Sequence, residues 1–506
     1  MMLEVTSAPV RTAPVRRMRL AYPATILGTI GALIGIAGSW IPSYWGDEAA
    51  SVMSANRTWG SLATLLTNVD GVHGLYYAFL HLWVGVFGSS EFSTRLPSAI
   101  GAGFMIAGTV VLVRDVVGTK TAVVAGIISI LLPRTMYMAV EARSYAIGAA
   151  AAVWVSVLVL RLLRNGGTRR GWIAYAIAAA ASMYLFLYLG LLLIVHGVVA
   201  ATLYRRELRR WGLSAVITVV LALPIIIVGF LQRSQISFLA RRSYATASNV
   251  LIKQWFDAPL IAIISWVLIV AAIGWLIWRL TRRDAWAWRD RAHLTIAGVV
   301  WLALPTAILL IVNTTVSPVY NVRYLTFCTP AAAILISLGV VTLTERLTSK
   351  TQLTTTVLLL ALLAAACAPA YVSQRGPFAK DGGSDWRAVA TYVHDHAGAG
   401  QAIVFDQSTK PSRNPRLAMN LRPAEFAGLL DVALKTPYAD RAWLWDSVIP
   451  NRDAVDLLFG VSDVWAVELT TNAAKADDVV LLEQHGYRIE STERVHRTTV
   501  YHLIKE

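Results

Sequence analysis

The stretch Trp45-Gly46-Asp47-Glu48-Ala49-Ala50 decides the reading of this chain. It follows the first long apolar segment, residues 21–41, so two carboxylates stand just past a membrane edge. A run of that length covers about 30 Å of hydrocarbon at about 1.5 Å per helical residue. Asp70 and His73 come a short way downstream, before the next apolar run. Ionisable groups at a membrane edge are costly unless they are paired or functional. The acidic corner is therefore the candidate active site, and the rest of the chain is read outward from it.

The chain has 506 residues and is 56% hydrophobic, with a mean hydropathy of +0.56. Both values identify an integral membrane protein. The formal charge of +15 is unevenly placed: residues 1–372 carry 30 Lys/Arg against 12 Asp/Glu, and residues 373–506 carry 15 against 18. This shift marks a domain boundary near residue 373. The basic excess belongs in loops facing the cytoplasm and does not signal nucleic-acid binding. Cys328 and Cys367 both lie in apolar segments and form neither a metal motif nor a disulfide framework. Residues 21–41 follow Arg16, Arg17 and Arg19 and lack a small-residue cleavage site, so they stay as an anchor.

Residues 1–20 are polar and basic, a cytoplasmic tail. Residues 21–372 form the transmembrane domain. Residues 43–95 hold Asp47, Glu48, Arg57, Asp70, Glu91 and Arg95 and make a first external loop, with short helices at 48–56 and 60–67. Residues 74–88 reach only about 22 Å and are rich in Tyr, Trp and His, so they lie along the interface. Further spans fit at 96–113, 120–138, 145–163, 171–186, 188–204, 212–231, 258–279, 295–314, 326–344 and 354–372, eleven with the first. The connections with Arg161, Arg164, Arg169 and Arg170, with Arg205, Arg206, Arg209 and Arg210, and with Arg279, Arg282, Arg283, Arg289 and Arg291 then share the side of the N-terminus. That side is the cytoplasm, and residues 373–506 fall outside a plasma membrane crossed many times. They read as an α/β domain with a small mixed sheet. Strands fit at 402–405, 442–445, 464–468, 488–489 and 498–504; helices fit at 385–397, 422–434, 452–459 and 473–486.

This topology puts four polar groups on the external face. They are the loop with Asp47, Glu48, Asp70 and His73; the turn from Pro133-Arg134 to Glu141-Ala142-Arg143-Ser144-Tyr145; the loop 232–257; and Ser317 to Arg323-Tyr324. Arginine forks hold phosphate bidentately, and a carboxylate can take the proton of an attacking hydroxyl. The set suits a phosphate-bearing substrate and a hydroxyl acceptor.

These blocks carry a resemblance. Gly46-Asp47-Glu48-Ala49, Val69-Asp70-Gly71-Val72-His73-Gly74-Leu75-Tyr76-Tyr77, Arg95-Leu96-Pro97-Ser98, Pro133-Arg134 with Glu141 to Tyr145, Arg323-Tyr324 and Asp385-Trp386-Arg387 occur in a specific order and spacing. Over roughly residues 25–390 the chain resembles the polytopic GT-C glycosyltransferases. The branch is that of protein O-mannosyltransferases and lipid A aminoarabinose transferases, in the form seen in high-GC Gram-positive bacteria. Where many relatives have two prolines before Leu-Tyr-Tyr, this chain has Val72-His73-Gly74. The resemblance implies a catalytic aspartate, matching Asp47, and a polyprenyl-phosphate sugar as donor in place of a nucleotide sugar. It also implies inversion at the anomeric carbon. Mannose is the favoured sugar and arabinofuranose the second; the acceptor is an envelope glycan, a glycolipid or a protein.

Each residue has a plainer reading. Asp47 could cap a helix starting at Glu48. Glu48 is either a supporting group, a metal ligand or first-turn decoration of the helix dipole. Asp70 is an acceptor-side group or a turn residue before Gly71, and His73 is a site residue or a satisfied interfacial histidine. The sequence assigns no cofactor and leaves a divalent metal open: Glu48, Asp70 and His73 have the chemistry to hold one. Arg143 and Arg323 are assigned to the donor phosphate, with Arg134, Tyr145 and Tyr324 beside them. The alternatives are snorkelling among lipid headgroups and a place in the aromatic belt. Trp386, Trp443 and Trp445 are core residues or sugar platforms, and the run Trp266, Trp275, Trp278, Trp286 and Trp288 is lipid-facing or part of the aromatic belt. Two other classes compete: a transporter or flippase, which predicts internal repeats and broken mid-membrane helices, and a sensor in which Asp47 is dispensable.

Overall fold

The computed structural model describes residues 22–282, 288–469 and 476–506. The expected tail 1–20, Arg283, Trp286 and the start of the helix at 473–486 lie outside them. Among the described residues helices cover most of each of the eleven expected spans, though the first ends at Ile36 and that at 120–138 is broken at Leu132. Seven helices are long and apolar enough to cross a membrane: Glu91–Val117, Tyr145–Asn165, Arg205–Leu231, Pro259–Thr281, Arg289–Thr315, Val322–Thr344 and Ser349–Ser373. An eighth is the pair Thr119–Leu131 and Pro133–Ala139, bent by 61°. Tyr22–Ile36, Arg169–Leu185 and Leu187–Leu203 are shorter. The bend sits where Leu132 is extended and Pro133 opens a new helix, since proline cannot continue the hydrogen-bond ladder.

The first helix sits deep against Glu91–Val117. A Cβ on Gly28 would meet the Gly103 carbonyl oxygen at 2.8 Å, a backbone approach that only small residues allow between membrane helices. The first loop holds Gly46–Ala55, Trp59–Asn68 and Gly74–Phe87, matching the three short helices expected there. At one end of the bundle Arg114 and Arg161 share Asp115, Arg164 meets Asp290 and Arg291 meets Glu345. The basic connections therefore gather at a single end. One call is corrected: Trp275 does not face lipid but is buried, with the Arg291 guanidinium 3.8 Å above its ring. Paired this way, the cation and the indole satisfy each other inside the bundle.

Helix Ser349–Ser373 ends at the expected boundary. Beyond it strands β1 (Ala402–Phe405), β2 (Leu430–Asp431), β3 (Leu434–Thr436), β4 (Ser447–Val448), β5 (Asp463–Glu468), β6 (Tyr487–Arg494) and β7 (Thr499–Lys505) follow in order. The main sheet runs β2-β1-β5-β7-β6, with β2, β1 and β5 parallel and β7 and β6 antiparallel. No helix covers 422–434; a short 3-10 turn, Pro423–Phe426, leads instead into β2 and β3. Residues 442–445 are not a strand, because Arg57 of the first loop takes the carbonyls of Arg441 and Trp443 at 2.7 and 2.6 Å. A backbone acceptor bound to a guanidinium has no need of a ladder.

Asp385-Trp386-Arg387 ties the two parts together. Asp385 accepts from the amides of Arg497 and Thr498, and Trp386 is buried in the outer core. Arg387 pairs with Glu91 at 2.8 Å and donates to the Trp40 carbonyl.

Candidate active site

Helix Gly46–Ala55 starts two residues earlier than a capping role for Asp47 needs. Trp45 is the cap residue and Asp47 lies in the first turn. Its carboxylate is thus free of the helix end, and Oδ2 accepts from Arg323 at 2.7 Å. Arg323 follows Asn321, whose Oδ1 holds the Arg323 amide at 3.1 Å, and its guanidinium lies 4.5 Å over the Trp45 ring. Burial pushes the Asp47 carboxyl up, but Arg323 and Arg143 outweigh it and hold the group below the usual carboxylate range.

Arg143 is buried and touches only neutral partners: the Asp47 carbonyl at 3.3 Å, Ser51 Oγ at 3.2 Å, Tyr77 Oη at 3.3 Å and His73 Nε2 at 3.1 Å. Among the described residues no carboxylate lies in ion-pair contact with it. Burial first, then Arg143, push His73 down to about 3. The imidazole is therefore neutral at physiological pH and accepts through Nε2. Asp70 has a left-handed backbone, φ 56°, and its amide donates to Gln235. Its Oδ2 accepts from Tyr77 at 2.7 Å, so Asp70 orients Arg143 through the tyrosine. Burial raises the Asp70 carboxyl, against the pull of Arg143.

Glu48 departs from its expected part. It is fully buried and closed by Arg95, whose Nε and Nη2 donate to its two oxygens at 2.7 Å each. The Ala142 amide adds a third bond at 2.8 Å. With both oxygens taken, Glu48 clamps the 141–144 turn to helix Gly46–Ala55. The structure does not gather Glu48, Asp70 and His73 into a metal set. Among the described residues the acids in mutual reach are Asp406, Glu468 and Asp478 of the outer domain.

Arg134 donates to the carbonyls of Lys253 and Gln254 at 2.5 and 2.8 Å, and so pins the loop 232–257. It also lines a cavity of about 400 Å³ with Arg323, Lys253 and Tyr137. Tyr145 and Tyr324 join an aromatic cluster: Tyr145 meets Phe186 edge-on at 5.5 Å and Tyr324 stacks on Tyr188 at 4.8 Å.

Sequence reasoning missed Lys380. Its ammonium is buried 4.1 Å over Tyr137, without a hydrogen-bond partner, near the equally unbonded carboxylate of Glu141. Burial pulls Lys380 down to about 8, against the opposing pull of Glu141. Glu141 reaches Arg323 only at 3.7 Å. A lone lysine in the linker after the last span was the available signal.

No family model matches the sequence, and no curated protein does. Solved structures do match. ArnT from Cupriavidus metallidurans bound to undecaprenyl phosphate superposes with a TM-score of 0.58 at 14% identity, over 94% of this chain and 97% of that one. Its apo state gives 0.55 at 12% identity over the same shares. The Archaeoglobus fulgidus oligosaccharyltransferase in complex with Zn and sulfate gives 0.49 at 11% identity, over 87% of this chain and 67% of that one. The chain has the fold of the GT-C glycosyltransferases: a multi-pass helical membrane domain with a C-terminal strand-containing domain.

Proposed function

We propose that this protein is an inverting glycosyltransferase that takes a sugar from a polyprenyl-phosphate donor. The observation that carries the reading is Arg143, a buried guanidinium surrounded by neutral acceptors beside the Asp47–Arg323 pair. Asp47 and Asp70 act on Arg143 only at longer range; a buried cation without a direct ion pair is expensive, and a phosphate supplies one with bidentate geometry. The likeness in fold to ArnT bound to undecaprenyl phosphate supports a lipid-borne donor.

Arg143 and Arg323 hold the donor phosphate, and Arg134 and Lys253 line the cavity that Arg323 also lines. The acceptor hydroxyl attacks the anomeric carbon from the side opposite the phosphate. Its new C–O bond forms as the bond to the phosphate oxygen breaks, and the electron pair leaves on polyprenyl phosphate. Asp47 takes the hydroxyl proton. As Arg323 turns to the phosphate, Asp47 loses its counter-ion and gains basicity. Mannose is the favoured sugar and arabinofuranose the second, both from the family resemblance. The acceptor is an envelope glycan, glycolipid or protein.

With the basic connections in the cytoplasm, the site and the outer domain face outward. Under that orientation an Asn165→Cys variant stays unlabelled by impermeant thiol reagents in intact cells; labelling there reverses it. Asp47→Asn in purified protein supplied with radiolabelled polyprenyl-phosphate sugars and envelope acceptors is expected to lose transfer by about 10²–10⁴-fold. Thermal unfolding should stay near that of the parent. Normal transfer by this variant sinks the base assignment.

A further inference from the structure

A second cavity, about 370 Å³, lies in the outer domain between the end of β1 and the segment leading to β4. That size is within the range of about 300–1,000 Å³ common for small-ligand sites. Gln407, Asn414, Asn420, Trp443, Trp445 and Asp446 line it. The tryptophans are presented there by construction. Arg57 grips the Trp443 carbonyl, and Leu444 packs against the apolar cluster of the first loop. The residues on either side of Leu444 turn to the cavity instead, leaving Trp443 55% exposed. Neither indole N–H has a hydrogen-bond partner among the described residues. Asn420 donates to Asp446 at 2.9 Å and keeps its own carbonyl oxygen open. Thr409 Oγ1, on the same wall, is buried without a partner.

The Asp446 carboxylate is taken by Arg416, Asn420 and the Tyr438 amide, so the open polar groups beside the indole faces are the Asn420 carbonyl oxygen and the Thr409 hydroxyl. A pyranose or furanose ring offers C–H faces to an indole and hydroxyls to such a carbonyl and hydroxyl. The cavity wall also touches the active site. The turn Pro411–Arg413 packs on the helix carrying Asp47 so closely that a Cβ on Gly46 would run into the Ser412 carbonyl oxygen. Gly46 precedes Asp47.

We propose that this cavity binds a saccharide unit of the acceptor, stacked on Trp443 and Trp445 and hydrogen-bonded by Asn420. The growing glycan is thereby anchored beside the helix that carries Asp47. Its role as acceptor site rests on the glycosyltransferase reading, whereas saccharide binding does not.

The test titrates linear manno-oligosaccharides and arabinofurano-oligosaccharides into the full-length protein in detergent, read by calorimetry and saturation-transfer NMR. One series binds the parent. Trp443→Ala weakens it about tenfold, the equivalent of a lost aromatic stacking partner. Trp443→Tyr restores it, and Asn420→Ala weakens it without touching an aromatic. Asp47→Asn binds as the parent does. In transfer assays Trp443→Ala raises the acceptor KM by the same factor at unchanged kcat. No binding of either series, or affinity equal to the parent's in both Trp443→Ala and Trp445→Ala, overturns the proposal. Saccharide binding without transfer by the parent upholds the cavity and refutes the glycosyltransferase reading.

Discussion

Replacing Arg323 by glutamine removes the cation 2.7 Å from the Asp47 carboxylate and keeps a side chain able to hydrogen-bond. A hydrogen bond to a charged partner is worth about 1.5–3 kcal/mol, and about 1.4 kcal/mol corresponds to one pKa unit. The partners are 18% and 32% exposed, so solvent screening favours the lower part of that range. The direction follows from the balance at Asp47. Burial pushes the carboxyl up while Arg323 and Arg143 hold it down. With Arg323 gone, burial gains and the carboxyl rises.

The base works ionised, so kcat/KM falls as pH drops through the pKa of the free enzyme. In reconstituted vesicles with a polyprenyl-phosphate sugar, the acid limb of kcat/KM for Arg323→Gln should lie at higher pH than the parent's, because the cation that holds Asp47 below the usual carboxylate range is gone. The donor KM should also rise about tenfold, because a charge-assisted phosphate contact is lost. An active variant whose acid limb and donor KM both match the parent refutes the assignment of Arg323 to both the carboxylate and the phosphate.

Two further outcomes follow from packing. Arg95→Ala leaves the Glu48 carboxylate buried and uncompensated, at a cost of about 3–5 kcal/mol; thermal unfolding in detergent should fall sharply whatever the substrate, and an unchanged midpoint contradicts the clamp. Gly46→Ala drives a methyl group into the Ser412 carbonyl, an overpacking cost of about 1–3 kcal/mol. It should loosen the outer domain, seen as faster proteolysis at 406–416, and lower kcat even though Asp47 is intact.

The membrane domain was legible because its signals are local. Apolar runs of bilayer length and arginines sorted by connection define helices and their ends without tertiary knowledge. The short helices of the first loop and strands 402–405, 463–468 and 499–505 also follow from local pattern. The sequence could place Asp47, Arg143 and Arg323 on one face of the membrane, but not in contact.

Only the tertiary structure decided the roles. Glu48 and Asp47 are adjacent acids in one helical turn, yet they point to different partners. Glu48 meets Arg95, 47 residues away, and Asp47 meets Arg323, 276 residues away. The same holds for residues 442–445, an apolar run that fits a strand until Arg57 takes its carbonyls. Lys380 acquires meaning only when folding buries it over Tyr137 near Glu141. Local pattern sets where a backbone runs. The charge and hydrogen-bond partner of a side chain depend on groups hundreds of residues away, and only the folded chain brings those together.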